Sequence, residues 1–152
     1  MMIKILFVCH GNICRSPMAE FVMKDLLKKH GLSDAVRVAS AATSAEELGN
    51  PVHRGTRQKL SQAGIRCEGK TARRLTRADY DEYDWLIGMD DFNLRNMRAL
   101  LGGDPDHKIV KLLSFCGTGE DIADPWYTGN FDETYRDVLR GCEGLLRTLA
   151  RD

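Results

Sequence analysis

The first 17 residues constrain the fold of this chain more than any other segment. The apolar, β-branched run over residues 3–8 predicts a strand that is buried on both faces of a sheet. A polar loop follows from Cys9 to Arg15. Ser16 and Pro17, a good N-cap and a good first helical residue, then predict that a helix begins there. In parallel sheets, the crevice beyond the carboxyl end of such a strand is the usual place for a ligand.

Strands and helices alternate along the rest of the chain. Apolar runs predict strands over residues 36–40, 85–89 and 108–113, and helical spacing predicts helices over 52–63 and 91–101. The apolar stripe of a last helix is formed by Phe131, Tyr135, Val138, Leu139, Cys142, Leu145, Leu146 and Leu149. This alternation indicates an α/β fold: one three-layer domain over residues 1–152, with a parallel sheet of about four strands and helices on both faces.

Charge and cysteine content narrow the class of protein. The chain has 22 Lys and Arg against 22 Asp and Glu, so it lacks the basic excess that is typical of nucleic-acid binders. No apolar run approaches the ~20 residues of a membrane span. The five cysteines are an odd number, which is unfavourable for a secreted disulfide framework. We therefore expect a soluble, cytoplasmic monomer with free thiols and with no nucleic-acid or membrane partner.

The loop from Cys9 to Arg15 has the features of an oxyanion site. A helix N-terminus offers free N–H groups and the positive end of a dipole. Gly11 relieves steric conflict in a tight path, Asn12 tolerates left-handed backbone geometry, and Arg15 adds a planar fork for two oxygens. Cys9 then lies at the bottom of a phosphate-sized cup that favours its thiolate, and the Ser16 hydroxyl can donate to the sulfur. This arrangement indicates nucleophilic attack on phosphorus without a metal.

Three other interpretations of this loop compete. Cys9 at the end of a buried strand is consistent with a small core residue. Cys9, His10 and Cys14 could supply metal ligands, although Cys67, Cys116 and Cys142 are scattered and form no second ligand pair. A nucleotide-binding loop is also possible, but the Gly-Lys-Ser/Thr ending of such loops is missing.

Cleavage of a phosphate ester by a thiolate also needs an acid for the leaving oxygen. Asp124 is the candidate, since Pro125 stiffens the chain after it and Trp126 and Tyr127 could form a slot for a phenyl ring. His10 is in the loop but is interpreted as a passive side chain. The competing interpretation is a surface turn, with both aromatic residues packed in the core.

Two segments together resemble the low-molecular-weight protein tyrosine phosphatases. They are VCHGNICRSPMAE at residues 8–20 and DPWY at residues 124–127, and the resemblance extends over nearly the whole chain. It implies that Cys9 forms a phosphocysteine, that Arg15 binds the phosphoryl group, and that Asp124 is the general acid and then the general base. It implies further that Cys14 forms a reversible, redox-sensitive disulfide with Cys9.

The same resemblance implies a phosphotyrosine-containing protein as substrate and inorganic phosphate as product, with no cofactor and no metal. The implied substrate-binding residues are His10, Gly11, Asn12, Ile13, Cys14, Ser16, Glu46, Trp126 and Tyr127.

Several positions depart from the family pattern. Many relatives carry an aromatic residue where this chain has Ala-Glu-Glu-Leu at 45–48, so Glu46 and Glu47 are expected to disfavour acidic phosphopeptides and favour basic ones. Val-His-Arg-Gly at 52–55 replaces a frequent Asp-x-Arg-Ala, and Lys70 replaces a frequent His.

Rival functions exist on the same scaffold. A thiol-linked arsenate reductase needs further cysteines soon after the third strand, and residues 89–101 contain none. Protein arginine phosphatases tend to have Thr at the position of Ile13. A phosphate-binding module without catalysis has no use for Asp124.

Overall fold

A single parallel sheet organises residues 2–150, which are the residues that the computed structural model describes. Its strands are β1 (Ile3–Cys9), β2 (Val36–Ala42), β3 (Trp85–Gly88) and β4 (Ile109–Lys111), in the order β2-β1-β3-β4. β1 is in register with β2 from Ile3–Val36 to Cys9–Ala42 and also pairs with β3. The chain order reverses at β1, so this strand ends at the point where open α/β sheets bind ligands.

The helices cover both faces of this sheet. In chain order they are α1 (Arg15–Lys29), α2 (Arg54–Gln62), α3 (Arg77–Glu82), α4 (Asp91–Leu101), a 3₁₀ helix (Leu112–Cys116), α5 (Pro125–Thr128) and α6 (Phe131–Ala150). α1, α2 and α6 pack together on one face, and α3 and α4 lie on the other. The predicted three-layer α/β fold is confirmed.

Alternate residues of β1 face two separate cores. Ile5 and Phe7 pack against α1 and α6, whereas Leu6 and Val8 face α3 and α4. All four side chains are fully buried. The burial of both faces explains why residues 5–9 of this strand are all apolar.

Some element boundaries differ from the sequence prediction. α1 begins at Arg15 with Cys14 as its N-cap, so the prediction that Ser16 caps this helix is wrong. α2 begins only at Arg54, and the predicted fourth strand ends early because Leu112 starts a 3₁₀ helix. The two shortest α-helices, α3 and α5, were not predicted. No helix of residues 2–150 combines the length and the apolar character needed to cross a membrane.

Candidate active site

A cavity of about 100 Å³ lies beyond the carboxyl end of β1. It is lined by Cys9, His10, Gly11, Ile13, Cys14, Arg15, Glu46, Glu47, Asp124, Trp126 and Tyr127. Of the residues that the sequence predicts for the site, only Asn12 and Ser16 are not on its surface. Both are fully buried and support the loop from behind.

Two polar groups of Ser16 contact the sulfur of Cys9, which is almost fully buried. Its Sγ lies 3.0 Å from Ser16 Oγ and accepts from the Ser16 backbone N–H at 3.4 Å. Asn12 Nδ2 donates to Ser16 Oγ at 2.7 Å, so the Ser16 hydroxyl proton is free to point at the sulfur. Donors placed in this way stabilise a negatively charged sulfur more than a neutral one. The helix start at Arg15 brings Ser16 into this position instead of a capping one.

Asn12 holds the loop in shape through contacts with three segments. Its φ is 58°, in the left-handed region that asparagine tolerates better than most residues. Besides its bond to Ser16, Nδ2 donates to Ser40 Oγ at 2.9 Å, and Oδ1 accepts from the Arg73 backbone N–H at 3.2 Å. These bonds to α1, β2 and the segment before α3 offset the cost of the unusual backbone conformation.

Ser40 is hydrogen-bonded to both members of a largely buried ion pair, Glu20 and Lys70. The Ser40 hydroxyl donates to Glu20 Oε1 at 2.6 Å, and the Ser40 carbonyl oxygen accepts from Lys70 Nζ at 2.9 Å. Lys70 also lies 3.7 Å from Glu20. Burial lowers the pKa of Lys70, and the Glu20 charge opposes that effect. Lys70, at a position where the family pattern often has His, therefore contacts both the Ser40 carbonyl and Glu20.

Arg15 lines the cavity, and its guanidinium is held by residues from distant parts of the chain. Nη1 donates to Asp90 Oδ2 at 2.6 Å and to the Ile122 carbonyl at 2.9 Å. Nη2 lies 3.4 Å from Asp124 Oδ2, and Nε is buried without a hydrogen-bond partner among residues 2–150. Burial lowers the pKa of Arg15, but the charges of Cys9 and Asp90 outweigh it and raise that pKa, so the side chain stays cationic.

Asp124 lies across the cavity from the loop. It is the N-cap of α5, and its Oδ1 accepts from the Trp126 backbone N–H at 3.0 Å. Its side chain is 23% exposed. Trp126 and Tyr127 are 58% and 82% exposed, so the interpretation that they pack in the core is wrong. Together with Ile13 they give the cavity an apolar wall.

The opposite rim of the cavity is acidic. Glu46 Oε2 lies 3.0 Å from His10 Nε2, and both side chains remain largely exposed. Glu47 accepts from Asn50 Nδ2 at 2.5 Å. His10 is therefore engaged with the loop after β2, which sequence reasoning did not predict.

Asp90 is the site residue that the sequence analysis missed. It is the N-cap of α4, accepting from the Asn93 backbone N–H at 2.7 Å, and it binds the buried Arg15. A usable signal was present, since Asp90 directly follows a strand whose carboxyl end must face the same edge of the sheet as Cys9.

Other cysteine-based sites find little support in the described part of the chain. All five cysteines are free thiols. Within residues 2–150 no three His, Cys, Asp or Glu side chains are grouped as metal ligands. The interpretation of the loop as a metal site therefore has no matching cluster.

The fold is a parallel α/β sheet, and the cavity at the carboxyl end of β1 contains a thiol, Cys9, and an arginine, Arg15. Residues 4–152 match the family model of the low molecular weight phosphotyrosine protein phosphatases. The chain belongs to this family of hydrolases.

Named relatives agree with this assignment. The chain is 40% identical to the low molecular weight protein-tyrosine-phosphatase YfkJ of Bacillus subtilis, over 99% of this chain and 98% of YfkJ. The crystal structure of YfkJ has a TM-score of 0.96, with 99% of this chain and 96% of that chain covered. PtpA of Staphylococcus aureus is 36% identical over 99% of this chain and 96% of PtpA. A Drosophila arginine phosphatase, DARP, is 34% identical with a TM-score of 0.87, covering 97% of this chain and 98% of that one.

Proposed function

We propose that this chain removes the phosphoryl group from phosphotyrosine in protein substrates through a phosphocysteine on Cys9. The observation that carries the proposal is the orientation of Arg15. Asp90 and Ile122 occupy Nη1, whereas Nε is buried without a hydrogen-bond partner among residues 2–150 and Nη2 has only a 3.4 Å contact with Asp124. We infer that the edge formed by Nε and Nη2 is the one that a ligand in the cavity meets. That edge matches two oxygens of a phosphoryl group. A phosphoryl group bound there supplies a hydrogen-bond partner for the buried Nε.

In the first step the Cys9 thiolate attacks phosphorus and the P–O bond to the tyrosine ring breaks. Asp124 gives its proton to the departing phenolate oxygen. Arg15 and the backbone N–H groups of the loop stabilise the charge on the remaining phosphoryl oxygens. The products are a phosphocysteine and a free tyrosine hydroxyl.

In the second step water attacks the phosphorus and the S–P bond breaks. The Asp124 carboxylate accepts a proton from this water and so returns to its acid form. Cys9 leaves as a thiolate, which the Ser16 hydroxyl and backbone N–H stabilise. Inorganic phosphate is released, and no cofactor or metal enters either step.

Tyrosine is favoured over arginine as the phosphorylated residue. Ile13, Trp126 and Tyr127 form an apolar slot, which suits a flat phenyl ring. Phosphoarginine is the alternative substrate, since one structural relative is named as an arginine phosphatase. Arsenate is a further alternative.

We further propose that residues 1–152 form one catalytic domain that acts as a monomer. Its free thiols favour a cytoplasmic location, because that compartment is reducing.

The test is a parallel assay on phosphotyrosine, phosphoarginine and arsenate, with and without a chelator. We expect hydrolysis of phosphotyrosine that is unaffected by the chelator. Faster turnover of phosphoarginine, or reduction of arsenate with a thiol, contradicts the proposed substrate.

Glu46 is expected to shift the peptide preference toward basic sequences. A charge at about 4 Å in water contributes about 1 kcal/mol, or roughly fivefold in kcat/KM. The unmodified protein should therefore prefer a phosphotyrosyl peptide with a neighbouring Lys over one with a neighbouring Glu, and Glu46→Gln should reduce that ratio. Glu143→Gln, on the exposed face of α6, is the control. A ratio that does not change with Glu46→Gln or with salt contradicts this role.

Reversible oxidation should depend on Cys14 and on pH. If peroxide converts Cys9 to a sulfenic acid, the Cys14 thiolate displaces hydroxide and forms a disulfide. Burial, followed by the charge of Cys9, raises the pKa of Cys14 to about 12. The sulfenic acid removes the charge of Cys9, but burial still keeps the pKa of Cys14 raised. Below its pKa the thiolate fraction of Cys14 rises about tenfold per pH unit, so disulfide formation should be faster at pH 9 than at pH 7. Mass spectrometry of quenched samples measures this rate. Equal recovery of activity in Cys14→Ser argues against the protective disulfide.

A further inference from the structure

His53 lies between the loop that carries Cys9 and the segment that carries Asp124. It is the N-cap of α2, and its Nδ1 accepts from the Gly55 backbone N–H at 3.0 Å. The His53 backbone N–H donates to the Ile13 carbonyl at 2.8 Å, and Thr56 Oγ1 donates to the Cys14 carbonyl at 3.0 Å. The first turn of α2 is therefore bonded to the outer side of the nucleophile loop.

The ring of His53 makes its contacts on the opposite side. It stacks on Phe131, with ring centroids 5.1 Å apart and planes at 18°. It also meets Trp126 edge to face, at 5.7 Å and 79°. The close approach of α2 and α6 depends on Gly55, since a Cβ at this position overlaps the Phe131 ring. One side chain thus joins α2 to the first residue of α6 and to the aromatic wall of the cavity.

Trp126 is coupled directly to the acid. Its backbone N–H donates to Asp124 Oδ1 at 3.0 Å, so a shift of Trp126 moves the Asp124 carboxylate with it. Trp126 is 58% exposed, which means that few contacts hold its ring. The His53 ring is one of these contacts. On the far side, Thr134 Oγ1 donates to the Ala123 carbonyl at 3.3 Å and ties the same segment to α6.

We propose that His53 is a positioning residue for the general acid. Its ring fixes Trp126, and through Trp126 it sets the position of the Asp124 carboxylate relative to Cys9. This inference rests on the acid role of Asp124 in the proposed function. The bond between the His53 backbone and Ile13 does not involve the imidazole, so changes of the side chain leave the phosphate-binding loop in place.

A purely structural role as a helix cap is the competing explanation, and two variants separate the two roles. His53→Asn keeps a good N-cap acceptor but removes the ring. His53→Phe keeps a flat ring for Phe131 and Trp126 but removes the acceptor. If the ring is what matters, only His53→Asn should disturb catalysis, whereas His53→Phe should mainly lower the Tm.

The measurement is kcat/KM for phenyl phosphate and for p-nitrophenyl phosphate, whose leaving group departs readily without a proton. We expect His53→Asn to lower kcat/KM about tenfold for phenyl phosphate and less than about threefold for p-nitrophenyl phosphate. The inhibition constant of inorganic phosphate should be unchanged. His53→Phe should keep the wild-type ratio between the substrates. His30→Asn, at the exposed end of α1, is the matched control.

The outcomes separate this inference from the proposed function. If His53→Asn leaves the ratio of the two kcat/KM values unchanged, the positioning role is overturned. Weaker inhibition by phosphate in that case indicates that the phosphate-binding loop itself is disturbed. If the unaltered protein hydrolyses neither substrate, it is the proposed function that fails. His53→Ser, which also supplies a capping oxygen, repeats the test should the Asn variant not fold. In a Trp126→Ala background His53→Asn should cause no further loss, and additive losses contradict a path through Trp126.

Discussion

Cys9→Ser is expected to abolish phosphatase turnover while phosphate and vanadate still bind. A serine hydroxyl is not ionised at neutral pH, and the donors around position 9 are arranged for a charged sulfur. Removal of a covalent nucleophile lowers kcat by a factor on the order of 10⁴ or more. The groups that hold the oxyanion, above all the Nε and Nη2 edge of Arg15, stay in place. Binding constants should therefore change by only a few-fold.

The measurement combines steady-state kinetics with calorimetric titration of phosphate or vanadate. Cys67→Ser is the matched control, because Cys67 is a half-buried free thiol that does not line the cavity. This variant should keep full activity. Residual turnover in Cys9→Ser close to that of the unaltered protein rules out the phosphocysteine mechanism.

Asp124→Asn should cause the second largest loss, and its size should depend on the leaving group. Asparagine keeps the capping oxygen that accepts from Trp126 N–H, but it cannot give up a proton to the substrate oxygen. General acid catalysis contributes about 10²–10⁴-fold. We expect kcat/KM for phenyl phosphate to fall by about two to three orders of magnitude, and that for p-nitrophenyl phosphate to fall much less.

Asp124→Ala tests the cap separately, because it removes the acceptor as well as the acid. It should lower the free energy of unfolding by about 1 kcal/mol relative to Asp124→Asn, with a similar kinetic defect. Asp81→Asn, on the exposed surface of α3, controls for the change of charge. Equal losses on both substrates in Asp124→Asn argue against an acid role and indicate a general disturbance of the site.

Much of the fold and of the nucleophile loop could be predicted because local patterns determine them. The apolar run over residues 5–9 is typical of a buried strand, and the polar loop after it is then expected at the carboxyl edge of the sheet. Gly11 and Asn12 permit a tight loop, and Arg15 supplies a planar cation; this combination indicates an oxyanion site. Asp124, by contrast, was a candidate acid from its own segment, and only the resemblance to a family favoured this role over a surface turn.

The parts of the site that were not predicted depend on tertiary contacts that leave no local pattern in the sequence. Arg15 is bound by Asp90 across 75 positions of the chain, and a single Asp after a strand resembles any helix cap. The stacking of His53 on Phe131 depends on the packing of α2 against α6. The start of α1 was misplaced because Ser16 has two possible uses. Ser16 can either cap a helix or hydrogen-bond the Cys9 sulfur. In the structure its hydroxyl contacts the sulfur, and Cys14 is the N-cap of α1.

The partners of Arg15 have a consequence for folding. Its guanidinium is bound by groups 75, 107 and 109 positions away, so the proposed oxyanion site is complete only after these long-range contacts have formed. A partly folded chain, or a fragment that ends before residue 122, contains the loop but not the oriented arginine. On the proposed function, phosphate is expected to bind the native state alone, and a concentration of 100 times Kd should add about 2.7 kcal/mol to the free energy of unfolding. The fraction of chains that bind phosphate should therefore report the fraction of chains that have folded completely.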